Sequence, residues 1–406
     1  MKAWEVKPST GNHFDVLDGM RGIAILMVVF FHTLFTNPDA GRASRAVGYL
    51  ISTGWMGVPL FFVLSGFLIS FPFFRQREKG SQSWYVKGYF RRRVAKIIPP
   101  YYLSIVIFAV YCFIRFSNPA YLTTGLQWAA GLSNFVRPAV NIPAPWWSLL
   151  VETHFYILLP LLFLLFRGMR SRPASLYMFA LLLFIPIIVR QLTWPAENAG
   201  KDELAFRMYR FPCALDYFGW GVLFAGFFVT WPMISPNVRR LRLLGYAGIG
   251  LLVATIGLHA IWDADSAITF RPTRWSVEAF HLFPALSCFL LMFFLFDADC
   301  VGSRLFAWAP LRFIGIVSYE WFLFHQAVVM SFRTAFPAAH GSMLGYLFRT
   351  AFPLLLTFGF SVAVYRYFSF PILQWGRGRQ SREPRKSMPV AATQTTTCAP
   401  PTGTEA

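Results

Sequence analysis

Charged residues are scarce in this sequence. They make up 14% of its 406 residues, whereas hydrophobic residues make up 56%. A soluble domain of this length needs a charged surface, which the sequence does not supply. Aromatic residues are abundant, with 45 Phe, 16 Tyr and 14 Trp, as is typical of proteins that face lipid and its interfaces. The composition predicts a multi-pass membrane protein in contact with the lipid bilayer.

Cysteine clusters and targeting signals are also lacking. The five cysteines lie far apart and form no CxxC or His–Cys cluster. They therefore predict neither a metal site nor a disulfide framework. The first ~15 residues are polar, and the first apolar run has no small-residue cleavage pattern, so we expect no cleavable signal peptide.

Long apolar segments recur along most of the chain. A membrane-spanning helix needs roughly 20 mostly apolar residues. This criterion predicts an all-α polytopic protein with about ten transmembrane helices around a polar cavity. We expect a membrane-embedded domain over residues 14–375 and a disordered cytoplasmic tail over residues 376–406. The predicted spans are 20–36, 55–74, 98–116, 146–166, 174–190, 211–230, 241–262, 279–297, 311–331 and 343–370.

Acidic residues number 18 against 37 Lys and Arg, which gives a net charge of +19. With a cytoplasmic N-terminus, about 25 of the 37 basic residues fall on the cytoplasmic side. The largest group lies between residues 75 and 96. Acidic residues divide almost evenly between the two sides of the membrane. The excess of basic residues on the cytoplasmic side therefore sets the topology and does not indicate nucleic-acid binding. We expect the protein in the cell (inner) membrane with both termini cytoplasmic.

Ionisable residues interrupt the first span, LDGMRGIAILMVVFFH, which contains Asp18, Arg21 and His32. Eleven residues correspond to about 16 Å of helix. If Arg21 lies near the cytoplasmic surface, His32 lies near the middle of a ~30 Å hydrocarbon layer. Such groups usually line a bundle interior or a wet cavity. The alternatives are a neutral histidine bonded to a neighbouring helix and an arginine that anchors the helix at the interface.

A second polar group lies in WWSLLVETHFYILLP. Ser148, Glu152 and Tyr156 are four residues apart and share one helix face. A carboxylate two turns into an apolar segment pairs with a cation or takes part in proton transfer. His154 lies about 200° around the helix from Glu152 and is secondary.

Further buried polar candidates lie in three other apolar segments: Glu320 and His325 in SYEWFLFHQ, Asp216 in ALDYFGWG, and Ser65 in GVPLFFVLSGFLIS. Each could have a structural role. Small residues such as Ser65 also permit close helix packing. Several ionisable groups at membrane depth in one chain nevertheless favour a polar cavity.

The segment RRRVAKIIPPYY is basic at the start of the third span. Arg92, Arg93 and Lys96 are close enough along a helix to bind a polyphosphate. Arginine binds phosphate oxygens through a planar fork. Anchoring to lipid headgroups is an equal alternative on spacing alone.

In this order, the segments resemble acyltransferase family 3, a family of integral membrane proteins. It includes enzymes that O-acylate bacterial surface polysaccharides, nodulation factors and macrolides. The resemblance covers about residues 14–375. It is carried by LDGMRGIAI followed by His32, GVPLFFVLSGFLIS, YFRRRVAKIIPPYY, PWWSLLVETHFYILLP and LRFIGIVSYEWFLFHQAVV.

The resemblance implies transfer of an acyl group from cytoplasmic acyl-CoA, usually acetyl-CoA, to a hydroxyl that is often on a sugar. Acyl-CoA would be a co-substrate, with no permanently bound cofactor. The Arg–ten residues–His motif maps onto Arg21 and His32 as catalytic residues. The motif that would contact the CoA phosphates maps onto Arg92, Arg93 and Lys96. The Trp-Ser…Val-Glu motif maps onto Trp147, Ser148 and Glu152. The late Ser-Tyr…His motif maps onto Ser318, Tyr319 and His325.

Three positions depart from the family pattern. Thr153 follows Glu152 where a second glutamate is common, so any role of that carboxylate is absent or moved. Ala327 stands where proline is common, and Lys96 replaces an arginine. Lysine keeps the positive charge but loses the bidentate geometry.

These features predict a membrane-bound O-acyltransferase (a transferase of groups other than amino-acyl groups) that acts on a glycan or exopolysaccharide. His32 would act as the base or briefly carry the acyl group. Arg21 would stabilise charge on the donor, and Glu152 would orient the acceptor or the histidine. The other residues expected around the cavity are Asp18, Ser65, Trp147, Ser148, Tyr319 and His325.

Two alternatives remain open at this stage. One is the same enzyme class acting on a macrolide or another secondary metabolite. The other is a proton-coupled transporter that uses His32, Glu152 and His325 as a proton relay. The absence of a convincing internal repeat and the presence of the basic segment count against the transporter.

Overall fold

The computed structural model describes most of the predicted membrane domain. The described residues are 14–33, 51–80, 86–136, 140, 145–195, 210–230, 238–269, 273–297, 299–335 and 343–377. Regular structure over these ranges is helical, and no β-strand occurs within them. This confirms the all-α prediction. The predicted disordered tail lies outside the described residues from 378 onward.

The α-helices follow the apolar segments of the sequence. They are α1 (Asp15–Thr33), α2 (Gly57–Glu78), α3 (Val86–Phe116), α4 (Ala120–Ala129), α5 (Trp146–Leu165), α6 (Ser171–Leu192), α7 (Asp216–Thr230), α8 (Val238–Thr269), α9 (Arg274–Leu291), α10 (Val301–Phe306), α11 (Ala309–Ile316), α12 (Ser318–Ala335), α13 (Met343–Val364) and α14 (Phe370–Arg377). A 3₁₀ turn, Thr53–Met56, leads into α2, and another, Met292–Phe296, follows α9.

Seven helical segments within the described ranges are long and apolar enough to cross a membrane. The multi-pass prediction is therefore confirmed. The seven segments are Thr53–Glu78, Gly88–Phe116, Trp146–Leu165, Ser171–Leu192, Leu241–His259, Arg274–Phe296 and Ala351–Trp375. The count of ten and the cytoplasmic position of both termini stay predictions.

The three remaining predicted spans take other forms. The predicted span 311–331 is divided between α11 and α12, which meet at an angle of 69° and together make an eighth candidate. Helix α7 has 15 residues. At 1.5 Å per residue it is about 22 Å long, less than the ~30 Å hydrocarbon layer. Helix α1 has 19 residues and is also not among the seven candidates.

Helix α1 packs backbone to backbone against its neighbours through glycines. A Cβ atom added at Gly315 in α11 would lie 1.8 Å from the Asp18 carbonyl oxygen of α1. A Cβ atom added at Gly22 would lie 2.3 Å from the Leu311 carbonyl oxygen. A Cβ atom added at Gly57, the first residue of α2, would lie 2.2 Å from the Ala24 carbonyl oxygen. Small residues allow this approach in membrane helices. The contacts fix α1 between α2 and α11.

Helices α2 and α7 pack in the same way. A Cβ atom at Gly66 would lie 2.3 Å from the Phe218 carbonyl oxygen, and one at Gly221 would lie 2.1 Å from that of Val63. These contacts explain the glycine beside Ser65 in the sequence. They place Ser65 on a helix whose position is set by backbone contacts on two sides.

Replacing Gly315 with alanine should destabilise the fold, because the new methyl group meets a backbone oxygen that cannot move without separating α1 from α11. We expect the free energy of unfolding to fall by about 1–3 kcal/mol. Thermal unfolding in detergent measures the effect. Gly359→Ala in α13 is the matched control, since a Cβ added there meets no atom within 4 Å. Equal melting temperatures for the two variants would contradict the proposed packing.

Candidate active site

A cavity lies between α1, α2, α3, α5 and α12 and holds about 660 Å³ of empty space, counting its opening to solvent. Its walls are mainly apolar, with Val58, Phe61, Phe62 and Phe322 among the residues that form them. The polar groups therefore stand out against an apolar background, as in most small-molecule sites. The polar residues that line it are Arg21, Ser65, Arg93, Lys96, Ser148, Glu152, Tyr156, Ser318 and Tyr319.

Three cationic side chains from two helices face this cavity. Arg21 comes from α1, and Arg93 and Lys96 come from α3. Lys96 interacts repulsively with both arginines and attractively with Glu152 and Glu320. Cations close together in an apolar region attract an anionic or electron-rich ligand. Helix α3 begins at Val86, so Lys96 lies about 15 Å along it and not at the start of the span as expected from the sequence.

Glu152 is the carboxylate that lines the cavity among the described residues. Its oxygen Oε1 accepts two hydrogen bonds, one from Ser65 Oγ at 2.6 Å and one from the Tyr156 hydroxyl. Ser148 lines the cavity one turn earlier and donates to the Pro145 carbonyl at 3.0 Å. The predicted shared face of α5 is confirmed. Two hydroxyls therefore hold Glu152 in place opposite the cations.

Helix α12 also contributes residues to the cavity lining. Ser318 and Tyr319 line the cavity, and the Tyr319 hydroxyl donates to the Ile97 carbonyl of α3 at 2.8 Å. This bond fastens the start of α12 to the helix that carries Lys96. Glu320 is buried behind the wall and interacts electrostatically with Lys96 and Arg21.

His32 and His325 contact each other beyond one end of the cavity. His325 Nε2 lies 3.1 Å from His32 Nδ1. His325 Nδ1 lies 2.9 Å from the Phe322 carbonyl oxygen and 3.0 Å from that of Trp321. Carbonyl oxygens only accept hydrogen bonds, so His325 Nδ1 carries the hydrogen. In the neutral ring, His325 Nε2 is then an acceptor.

The tautomer of His32 follows from this contact. Its Nδ1 must donate to His325 Nε2, and it also lies 2.9 Å from the Val28 carbonyl oxygen. With the hydrogen on Nδ1, the basic atom of a neutral His32 is Nε2. The pair adjoins the cavity through Phe322, which lines it and whose ring centroid lies 6.1 Å from that of His325.

Other residues singled out in the sequence lie away from the cavity lining. Arg92 extends over Gly88, where an added Cβ atom would lie 2.6 Å from its Nη1. Trp147 packs edge-on against Phe62 at 6.3 Å between ring centroids. Asp18 likewise does not line the cavity. The site thus unites Arg21, Arg93, Lys96 and Glu152 with Ser65, Ser148 and Tyr319, and it places His32 and His325 as an adjoining pair.

Comparison with known proteins identifies the family. A family described as an acyltransferase domain matches residues 14–366. The chain belongs to acyltransferase family 3. No solved structure matches it significantly.

Three curated relatives of this acyltransferase chain are two O-acetyltransferases and one protein named as an acyltransferase. The chain is 27% identical over 340 residues to the peptidoglycan O-acetyltransferase OatA of Listeria monocytogenes, covering 77% of this chain and 49% of that protein. It is 22% identical to the O-acetyltransferase OatA of Staphylococcus aureus, covering 93% and 60%. It is 26% identical to the acyltransferase MdmB of Streptomyces mycarofaciens, covering 77% and 78%. The chain spans about half the length of the Listeria protein.

Sequence reasoning missed a second buried charge cluster in this acyltransferase. Arg190 of α6 is fully buried and lies 3.0 Å from Asp216 of α7 and 2.5 Å from Glu278 of α9. His281 lies 2.9 Å from Asp216. Asp216 was recognisable as an acid in an apolar segment, but its partners belong to helices distant in sequence. The cluster joins three helices and does not line the cavity.

Replacing Arg190 with alanine should destabilise the acyltransferase, because it removes the cation that pairs with the carboxylates of both Asp216 and Glu278 in a largely buried site. Removal of one member of such a pair costs about 3–5 kcal/mol. Thermal unfolding and the yield of monodisperse protein measure the loss. Arg304→Ala, at an exposed position, is the matched control. A loss no larger than in the control would refute a stabilising role.

Proposed function

We propose that this acyltransferase is an O-acyltransferase of the cell membrane, with both termini cytoplasmic. It moves an acyl group, usually acetyl, from cytoplasmic acyl-CoA to a hydroxyl of a glycan or exopolysaccharide. The observation that carries the proposal is one membrane-embedded cavity that holds Arg21, Arg93 and Lys96 opposite Glu152 and adjoins a histidine pair. The OatA relatives, which are named as O-acetyltransferases, support the choice of an acetyl group and a glycan.

The donor enters from the end of the domain where α3 begins. Arg92 and Arg93 lie nearest that end, and together with Lys96 they contact the phosphates and the polar arm of CoA. The apolar walls enclose the rest of the arm and the acyl group. Arg21, from α1, adds positive charge beside Lys96 and stabilises negative charge on the donor. Glu152 orients the acceptor or holds the cations in place.

His32 provides the base. Its Nε2 takes the proton of the acceptor hydroxyl as that oxygen bonds to the thioester carbonyl carbon. The tetrahedral intermediate then breaks its carbon–sulfur bond, and the CoA sulfur leaves with the proton that His32 had received. The products are the ester and free CoA, and His32 returns to its neutral form. A transient acyl group on Nε2 is the second route, with the same atom as nucleophile.

Replacing His32 with alanine should reduce acyl transfer by about 10²–10⁴-fold, the usual range for loss of a general base. The assay uses purified protein in nanodiscs with radiolabelled acetyl-CoA and measures thiol release, label on the protein and label on glycan acceptors. Label on wild-type protein without an acceptor would favour the acyl-histidine route.

His154→Gln is the matched control for His32→Ala. His154 is a histidine of a membrane helix that stacks on Phe211 at 4.7 Å between ring centroids and is not part of the cavity lining. The His154→Gln variant should keep the wild-type rate of acyl transfer. Retained activity in His32→Ala, with normal membrane insertion, would remove His32 from the mechanism.

His325 acts through His32 in this proposal and is a positioning residue. His325→Ala releases the Nδ1 hydrogen of His32 from one of its acceptors, so the ring samples other orientations. We expect kcat to fall by about 10²-fold, with little change in KM for acetyl-CoA. His325→Gln, whose side-chain oxygen can accept the same hydrogen bond, should recover part of kcat. Equal losses in kcat and in binding of acetyl-CoA would instead indicate a general structural defect.

A small apolar acceptor, such as a macrolide or another secondary metabolite, is a second candidate. The mainly apolar cavity walls favour it, and the match to MdmB covers similar shares of both chains. Parallel transfer assays with cell-wall glycans and with hydroxylated small molecules distinguish the two classes. Transfer only to small molecules would replace the glycan acceptor and keep the donor side of the proposal.

A further inference from the structure

A second cleft, with about 1230 Å³ of empty space counting its opening to solvent, lies at one end of the helix bundle. It is formed by the end of α2, the turn between α5 and α6, the start of α6 and the end of α7. It contains three arginines, Arg77, Arg170 and Arg172, against one carboxylate, Glu78. None of these residues lines the catalytic cavity, and none was singled out as a site residue from the sequence.

Two of the arginines are held in place by neighbouring groups. Arg77 Nη2 donates to the Phe163 carbonyl at 3.4 Å, and its guanidinium carbon lies 5.1 Å from the centroid of the Phe163 ring. Arg77 Nη1 is buried and has no hydrogen-bond partner among the described residues. Arg172 Nε donates to Thr230 Oγ1 at 3.1 Å. Arg77 therefore supplies fixed positive charge beside the cleft, and Arg172 Nη1 and Nη2, which make no hydrogen bond within the described residues, remain as donors for a ligand.

The chemistry of the cleft fits a phosphate group. Guanidinium groups bind phosphate oxygens through charge-assisted, often bidentate hydrogen bonds. The N-terminus of α6, a helix of 22 residues, also lies at the cleft between Arg170 and Arg172. The backbone N–H groups and partial positive charge of a helix N-terminus add to the attraction for an anion.

The cleft lies in line with the catalytic cavity. Ile69 of α2 and Tyr156 of α5 line the cavity. Arg77 and Phe163 lie eight and seven residues further along the same helices, which corresponds to about 12 and 10 Å. Both the cleft and the first turns of α3 therefore lie at the same end of the bundle.

Aromatic rings connect the two regions. The guanidinium carbon of Arg93 lies 5.9 Å from the centroid of the Tyr89 ring. The Tyr89 ring lies 5.2 Å from that of Phe73, and Phe73 stacks on Phe163 at 4.8 Å. Phe163 in turn contacts Arg77. These three rings are buried in the core, and they set the spacing between the cationic wall of the cavity and the basic cleft.

We propose that this cleft binds the 3′-phosphate at the adenosine end of acyl-CoA, while Arg92, Arg93 and Lys96 contact the rest of the molecule nearer the thioester. The inference rests on the proposed function, because it assumes an acyl-CoA donor. It assigns the recognition of a particular phosphate to residues outside the cavity. An anionic lipid headgroup carries the same phosphate chemistry and is the competing source.

The test compares CoA with dephospho-CoA, which lacks only the 3′-phosphate. Equilibrium binding is measured with the full chain in nanodiscs of phosphatidylcholine. The wild type should bind CoA roughly 10- to 100-fold more tightly than dephospho-CoA, as expected for charge-assisted hydrogen bonds. Arg77→Gln/Arg172→Gln should bind both nucleotides with the same affinity. Arg170→Gln, at an exposed position, should lose part of the preference without risk to the fold.

Arg304→Gln, also exposed, is the control and should keep the wild-type preference. A cleft variant that keeps the full preference, or a wild type that has none, would overturn the inference and leave the donor assignment intact. A wild type that binds neither nucleotide would overturn the donor as well.

A final arm tests the lipid source with nanodiscs that contain phosphatidylglycerol. Thermal stabilisation by this lipid that disappears in the cleft variants, together with an unchanged CoA preference, would reassign the cleft to lipid headgroups.

Discussion

The backbone contact between α1 and its neighbours determines where the chemistry can occur. Gly22 and Gly315 bring α1 and α11 together without intervening side chains, and Gly57 does the same for α1 and α2. A larger residue at any of these positions would move α1 outward. Such a shift would carry Arg21 away from the cavity and His32 away from His325. The catalytic groups therefore depend on contacts that contain no catalytic residue.

Two buried charge clusters within the described residues differ in their balance of positive and negative charge. Arg190 has two carboxylates within salt-bridge distance and a further bond to the Cys213 carbonyl. This cluster is satisfied internally and joins α6, α7 and α9. The cavity instead places three cations around one lining carboxylate. Uncompensated charge is costly at membrane depth, so the second arrangement is that of a site that receives an electron-rich ligand.

Helix α1 carries two residues of the proposed reaction at different points along its length. Arg21 faces the cavity, where the donor binds, and His32 lies about 16 Å further along the helix. Helix α12 follows the same division, with Ser318 and Tyr319 in the cavity wall and His325 beside His32. A donor that enters at one end can thus extend along the cavity and meet the acceptor beside the histidine pair. The basic cleft extends this line outward at the donor end.

The sequence by itself determined the membrane class, the family and the shared face of Ser148, Glu152 and Tyr156. Hydropathy and four-residue spacing are local properties, and an isolated helix already expresses them. The sequence alone did not determine that Arg93 lines the cavity while Arg92 turns toward Gly88. It also did not determine that Asp216 belongs to a structural cluster. The contact between His32 and His325 joins residues 293 positions apart. Only the tertiary structure decided it, because glycine-mediated helix packing, and not local spacing, selects which polar groups on different helices meet.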